Sequence, residues 1–230
     1  MTVTTYKWSI EEWHELIDSG LLEGKSVEFL EGEIIVRWSD GWSRPTSLCD
    51  GEALQGLTAS LANPQGGLSP EEVEHSYTNS SVVKYLRNIL SGLAEVRESH
   101  PITLDNSEPE PDIAIVRLPE SIYRSHHPYP QDIYWLVEIS NQTLIKDLNQ
   151  KIVTYARNGI PEYRVIDLVN KKLIVHTQVS DRGYSQINEY KTGTVSPLAF
   201  RDLAIAKQSS EMIRQLRCRD AESVRRHRFR

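Results

Sequence analysis

The chain has 230 residues, 39% of them hydrophobic, with 26 basic and 32 acidic side chains for a net charge of −6. That length buries a core without covalent staples, and two cysteines, Cys49 and Cys218, exclude both a disulfide framework and a cysteine zinc site. The acidic balance argues against a protein held on DNA by bulk charge alone, and no apolar run reaches the roughly 18 residues of a membrane span. The N-terminus has no basic region followed by an apolar stretch, so the expected location is the cytosol. The charge is uneven: residues 214–230 hold seven arginines against Asp220 and Glu222, a basic tail of +5 on a body of −11.

In chain order, residues 6–18 predict a short amphipathic helix with Ser9 as N-cap, Glu12 completing a capping box, and Trp13, Leu16 and Ile17 on one apolar face. Val27–Leu30 and Ile34–Trp38 predict a hairpin turning at Glu31-Gly32. Residues 39–72 are rich in Gly, Ser and Pro and keep no period, so they read as a loop or insertion with at most one helical turn near Glu52–Ala62. Apolar residues from Val82 to Leu93 recur at three- and four-residue steps and predict a helix over Tyr77–Leu93. A strand is expected at Ala94–Ser99. Ile113–Val116 is continuously apolar, as in a strand buried on both faces. Residues 117–131 read as a loop, Ile133–Ile139 as the strongest strand, and Thr143–Asn158 as a helix closed by Gly159. Tyr163–Asp167, Leu173–Thr177 and Tyr184–Tyr190 follow as strands in hairpin spacing, turning at Asn170-Lys171 and Arg182-Gly183. The order strand, helix, strand around a mixed sheet implies α/β or α+β.

Two carboxylates are out of place in such a sheet. Asp112 stands at the mouth of Ile113–Val116, and Glu138 lies between Val137 and Ile139 in the most apolar strand. Acidic residues are depleted in strands, and a buried carboxylate without a counter-charge costs several kcal/mol or takes up a proton. A metal ion or a basic side chain must compensate. Prolines on both sides of Glu110 hold the approach to Asp112 extended. On the helix after Glu138, Lys151 falls only about 20° around the axis from Leu144, at the edge of the apolar arc. From there its ammonium either reaches the strand end or snorkels to pair with Asp147 one turn earlier.

PDIAIV (Pro111–Val116), YWLVEIS (Tyr134–Ser140), DLNQK (Asp147–Lys151) and RNGIPEYRVIDL (Arg157–Leu168) closely resemble the Uma2 family, which is abundant in cyanobacteria and grouped with the PD-(D/E)XK nucleases. EFLEGEI (Glu28–Ile34), HSYTNSSVVKYLRNIL (His75–Leu90) and SPLAF (Ser196–Phe200) extend the resemblance from Trp8 to about Ala206. It implies one restriction-endonuclease-like domain over residues 1–206, with 39–72 as an insertion longer than usual and 207–230 as a tail without family counterpart. Asp112 and Glu138 match the positions that hold a divalent metal in that superfamily. The usual lysine position is occupied by Ser140, and Lys151 matches a lysine displaced to the next helix. Oxygen ligation fits Mg²⁺ or Mn²⁺. Glu28 and His75 match family positions as second-rank members of the site. For Glu28 the competing reading is a solvated hairpin edge shared with Glu31 and Glu33. For His75 it is a backbone hydrogen bond at the helix entry.

The implied function is a metal-dependent endonuclease hydrolysing phosphodiester bonds, with nucleic acid, DNA foremost, as the partner and no membrane role. A homodimer is one way to assemble the basic surface that the acidic body lacks. Competing readings are a non-catalytic nucleic-acid or protein-interaction module that keeps the fold, and an assembly protein using residues 39–72 and the tail. His126-His127 reads as surface, Trp38 as hairpin packing and Trp42 as a candidate stacking residue. No GxSxG, GxGxxG, P-loop or HExxH is present, which leaves serine hydrolase, dinucleotide, NTPase and zincin chemistry without support.

Overall fold

The computed structural model describes residues 6–25, 27–37, 43–45, 70–140, 145–180 and 182–206. The Glu52–Ala62 turn, Trp38, Trp42 and the arginine tail lie outside the described residues, as do the side chains of Leu144, Asp147 and Leu148.

Helix α1 spans Ile10–Asp18 and opens on the expected capping box, the Glu12 N–H donating to Ser9 and the Ser9 N–H to the Glu12 carboxylate. It buries Trp13, whose ring stacks on Phe29 at 5.3 Å. Strands β1 (Val27–Leu30) and β2 (Glu33–Arg37) pair through Glu31-Gly32, both at positive φ (52° and 76°), the two-residue turn whose twist suits a hairpin. A Cβ at Gly32 would stand 3.1 Å from the Trp8 carbonyl, so glycine there also permits a close approach. Strand β3 (Ser43–Pro45) adds to β2, so the segment read as a loop contributes a sheet edge. Three residues are too few for alternation to show in sequence.

Helix α2 runs Pro70–Ile89, starting seven residues before the expected Tyr77 and ending short of Leu93. Proline is at home in a first helical turn, so Ser-Pro-Glu-Glu is a helix start and not the end of the preceding loop. Strands β4 (Glu95–Glu98), β5 (Ile113–Val116), β6 (Ile133–Ser140), β7 (Glu162–Asp167), β8 (Lys172–Ser180) and β9 (Gly183–Tyr190) form a six-stranded sheet in that order. The β6–β7 pair is parallel and the others antiparallel. A parallel pair needs a crossover, supplied here by α3 (Ile145–Arg157). That helix closes on Gly159 at φ 74°, with Ile160 N–H donating to the Tyr155 carbonyl at 3.0 Å and Gly159 N–H to that of Ala156 at 2.9 Å, a Schellman end. Strands β10 (Thr194–Val195) and β11 (Ile205–Ala206) form a small separate pair that the sequence pattern did not signal.

The strand alternation sends Ile113, Ile115, Trp135 and Val137 into one core with Val82, Leu86 and Leu90 of α2. Ala114, Val116, Leu136 and Val165 enter a second core with Tyr155 and Ala156 of α3. All four residues of β5 are buried, as expected of a strand covered on both faces. The result is a mixed six-stranded sheet between helices with an N-terminal antiparallel hairpin, an α+β architecture. Among the described residues no helix is long and apolar enough to cross a membrane.

Candidate active site

The antiparallel register ends on the pair Ile113 and Val137, and continuing it by one residue beyond β5 brings Asp112 toward Glu138 and Ile139. Residues opposite one another share a face, and this parity is that of Ala114 and Leu136, the α3 side. The Ile139 N–H donates to Asp112 Oδ2 at 2.7 Å and fixes the carboxylate on the strand end. His75, on the second turn of α2, approaches the same oxygen through Nε2 at 3.3 Å. Burial alone would push the Asp112 carboxyl up. The His75 hydrogen bond and charge, the Ile139 N–H and the Lys151 ammonium outweigh it, and hold Asp112 below the usual carboxylate range. The reciprocal effect raises His75: its hydrogen bond to Asp112 outweighs burial, with that charge, the Ile139 backbone and Glu138 adding to the same side.

Glu138 is buried and faces α3. Lys151 Nζ lies 2.9 Å from Glu138 Oε1, and the Tyr155 hydroxyl donates to that same oxygen at 3.2 Å. Lys151 and Tyr155 are four residues apart and so share a helix face. The lysine therefore reaches the strand, and its side chain is only 7% exposed. Its Nζ also lies 3.0 Å from Glu28 Oε1.

Glu28 arrives from the hairpin. The Glu108 N–H donates to the Phe29 carbonyl at 2.9 Å, so the extended run into Asp112 lies beside β1, and the Glu110 N–H donates to Glu28 Oε1 at 3.2 Å. The hairpin tip is docked on α3 as well: Thr154 donates to Glu31 Oε1 at 2.7 Å, and Arg157 lies 3.7 Å from Glu31 Oε2. At 5% exposure Glu28 is no solvated edge, whereas Glu33 pairs with the exposed Lys7. The five singled-out residues thus fall into two adjoining groups, His75 with Asp112 and Lys151 with Glu28 and Glu138, which meet at the Glu138–Ile139 end of β6.

A family model described as "putative restriction endonuclease" matches residues 64–208, well over half of the chain. The chain belongs to the Uma2 family. The matched Uma2 segment holds His75, Asp112, Glu138 and Lys151, while Glu28 precedes it. A solved structure titled as a putative nuclease belonging to DUF820, from Anabaena variabilis ATCC 29413, superposes with a TM-score of 0.52 at 15% identity, covering 81% of this chain and 89% of that one. That likeness concerns the fold. No functionally curated protein matches this Uma2 chain.

Two participants were not singled out from the residues. Tyr155 lies one turn after Lys151 on the same helix face, and that spacing is its signal in the sequence. The Ile139 N–H is a backbone group with no sequence signature. His126-His127, expected at the surface, is half-buried: His126 stacks on Tyr129 at 4.8 Å and bonds the His127 carbonyl at 2.8 Å. Loop packing explains the pair, and neither histidine bonds to the Asp112 network. Among the described residues no group of three or more His, Cys, Asp or Glu is arranged as a metal site.

Proposed function

We propose that this protein is a divalent-metal-dependent endonuclease that hydrolyses phosphodiester bonds in nucleic acid, DNA in the first instance. The observation that carries the proposal is the end of the β5–β6 register, where the half-buried Asp112 carboxylate and the buried Glu138 carboxylate come together, the latter in contact with a buried lysine. The donor set fits Mg²⁺ or Mn²⁺. Such ions are held through one or two carboxylates plus water and substrate phosphate, and need no cage of three protein ligands. Asp112 and Glu138 would hold the ion. The set is also electrostatically suited to it, since three carboxylates face two cationic side chains even with His75 protonated. When bound, a divalent ion supplies Lewis acidity toward water and phosphate.

The chain's own residues do the rest. The Ile139 N–H and His75 keep Asp112 ionised and fixed in direction. The Tyr155 hydroxyl and Lys151 orient Glu138. The Lys151 ammonium is the group placed to stabilise charge that grows on the phosphoryl oxygens, and its burial strengthens that field relative to water. The acidic net charge favours one competing reading, a non-catalytic module that keeps the fold.

Relaxation of supercoiled plasmid separates the two. Wild type should nick in Mg²⁺ or Mn²⁺ and stop in EDTA, and Asp112→Asn should lower the rate by about 100-fold or more. Folded wild type that binds metal but leaves plasmid and RNA intact would support the module. An unchanged rate in Asp112→Asn would move the chemistry away from this site.

A further inference from the structure

We infer that Lys151 is the resident counter-ion of this site, and that entry of a divalent cation transfers its ammonium from Glu138 onto Glu28, making Glu28 the lysine's anchor and not a metal ligand. This rests on the metal-site reading above.

Lys151 Nζ touches both carboxylates at nearly equal distance, 2.9 Å to Glu138 Oε1 and 3.0 Å to Glu28 Oε1. Glu138 Oε1 is thus in contact with one cation already. A divalent ion ligated by Glu138 and an ammonium in contact with the same oxygen repel one another. The lysine must yield, and its flexible four-carbon stem allows the shift. Full withdrawal to water is not open to it, because the side chains of Lys151, Glu28 and Glu138 are only 7%, 5% and 10% exposed. Glu28 is where it can go with almost no movement. That carboxylate is already held by the Glu110 N–H, which donates to the same oxygen, Oε1, and its turn is docked on α3 through Glu31, Thr154 and Arg157. The three carboxylates then divide their work: Asp112 and Glu138 face the metal, and Glu28 keeps the ammonium charged beside the phosphate. In the metal-free protein the lysine offsets the charge of Glu138, so metal affinity measures a competition and not a vacant pair of ligands.

Mn²⁺ titration followed by electron paramagnetic resonance of the free ion tests this on the full chain without any activity. Lys151→Met should bind Mn²⁺ about tenfold more tightly than wild type, since the competing cation is gone. Glu28→Gln should bind about tenfold more weakly, since the displaced lysine has lost its anchor. The deciding comparison is Glu28→Gln in the Lys151→Met background, where the loss should shrink below about threefold because nothing is left to anchor. A loss there as large as in wild type would make Glu28 a metal ligand and overturn the inference, as would Lys151→Met that binds no more tightly. If Lys151→Met does not fold, Lys151→Gln takes its place in the same cycle. Asp112→Asn separates the two levels: Mn²⁺ bound by it as tightly as by wild type means that the metal site itself is elsewhere. Weakened binding in Asp112→Asn together with a failed Glu28 cycle rejects only the exchange.

Discussion

Substituting Lys151 by Met keeps the aliphatic stem and removes the charge. Removing one partner of a buried ion pair costs roughly 3–5 kcal/mol, because the remaining charge stays buried. The side chains involved are at most 10% exposed, so solvent screening gives little relief. The lower end applies here, about 3 kcal/mol, since Glu28 keeps the Glu110 N–H and Glu138 keeps the Tyr155 hydroxyl. For a protein of this length that is a fall in Tm of about 6–12 °C. Saturating Mn²⁺ should restore most of it, because a divalent cation replaces the lost charge and binds only the native state. Nicking should nevertheless fall by about 100-fold, the scale for losing one charge-stabilising group. Lys146→Met, about 140° around the same helix, is the control and should leave both readings near wild type. Thermal melts with and without Mn²⁺, beside plasmid nicking, measure all of this. A Lys151→Met protein that melts within about 2 °C of wild type without metal would refute the reasoning, because the lysine would then not be the counter-charge of two buried carboxylates.

Other outcomes follow from single contacts. Tyr155→Phe removes one buried donor from Glu138 and should cost about 1–2 kcal/mol in urea denaturation. Glu108 accepts from Trp13 Nε1 at 3.0 Å and from the Thr103 hydroxyl at 2.9 Å, which ties α1 to the run leading into Asp112. Glu108→Ala should therefore cost about 2–3 kcal/mol, read from the same denaturation curves, and a neutral result would mean that α1 is not held there. Burial pushes the His176 imidazole below its ordinary value, against a smaller upward pull from the Tyr163 backbone. The native state then resists a proton that the unfolded chain accepts, so the contribution is intact above about pH 6.5 and is lost as pH falls below it. His176→Gln should flatten that part of the stability–pH curve, measured by denaturation from pH 7.5 to 5. An unchanged slope would contradict the burial effect.

The legibility of the site followed the physics of each residue. Asp112 and Glu138 stood out because a carboxylate in an apolar strand conflicts with its surroundings, and such conflicts survive in sequence. Lys151 was half-legible: helical spacing brought it to the margin of the apolar arc but could not distinguish a reach to Glu138 from a pair with Asp147. Glu28 was undecidable from the hairpin alone, because its burial depends on the Glu108–Asp112 run crossing β1, a contact between segments 80 residues apart in the chain. A similar separation hides Glu108, which stands beside Pro109 in the sequence and is a buried acceptor for Trp13. The sheet was readable because β-branched and aromatic runs matched its strands. The start of α2 was missed because proline and glutamate at a first helical turn resemble the loop before it.

The central claim is that Asp112 and Glu138 hold a divalent ion at which a phosphodiester is cut, and a crystal soaked in Mn²⁺ tests its structural half most directly. The account predicts an anomalous peak at about 2.1 Å from a carboxylate oxygen of each residue, the distance of small hard cations, with Lys151 Nζ resting on Glu28. A peak elsewhere, or none at saturating Mn²⁺ with Lys151 still bonded to Glu138, would contradict it.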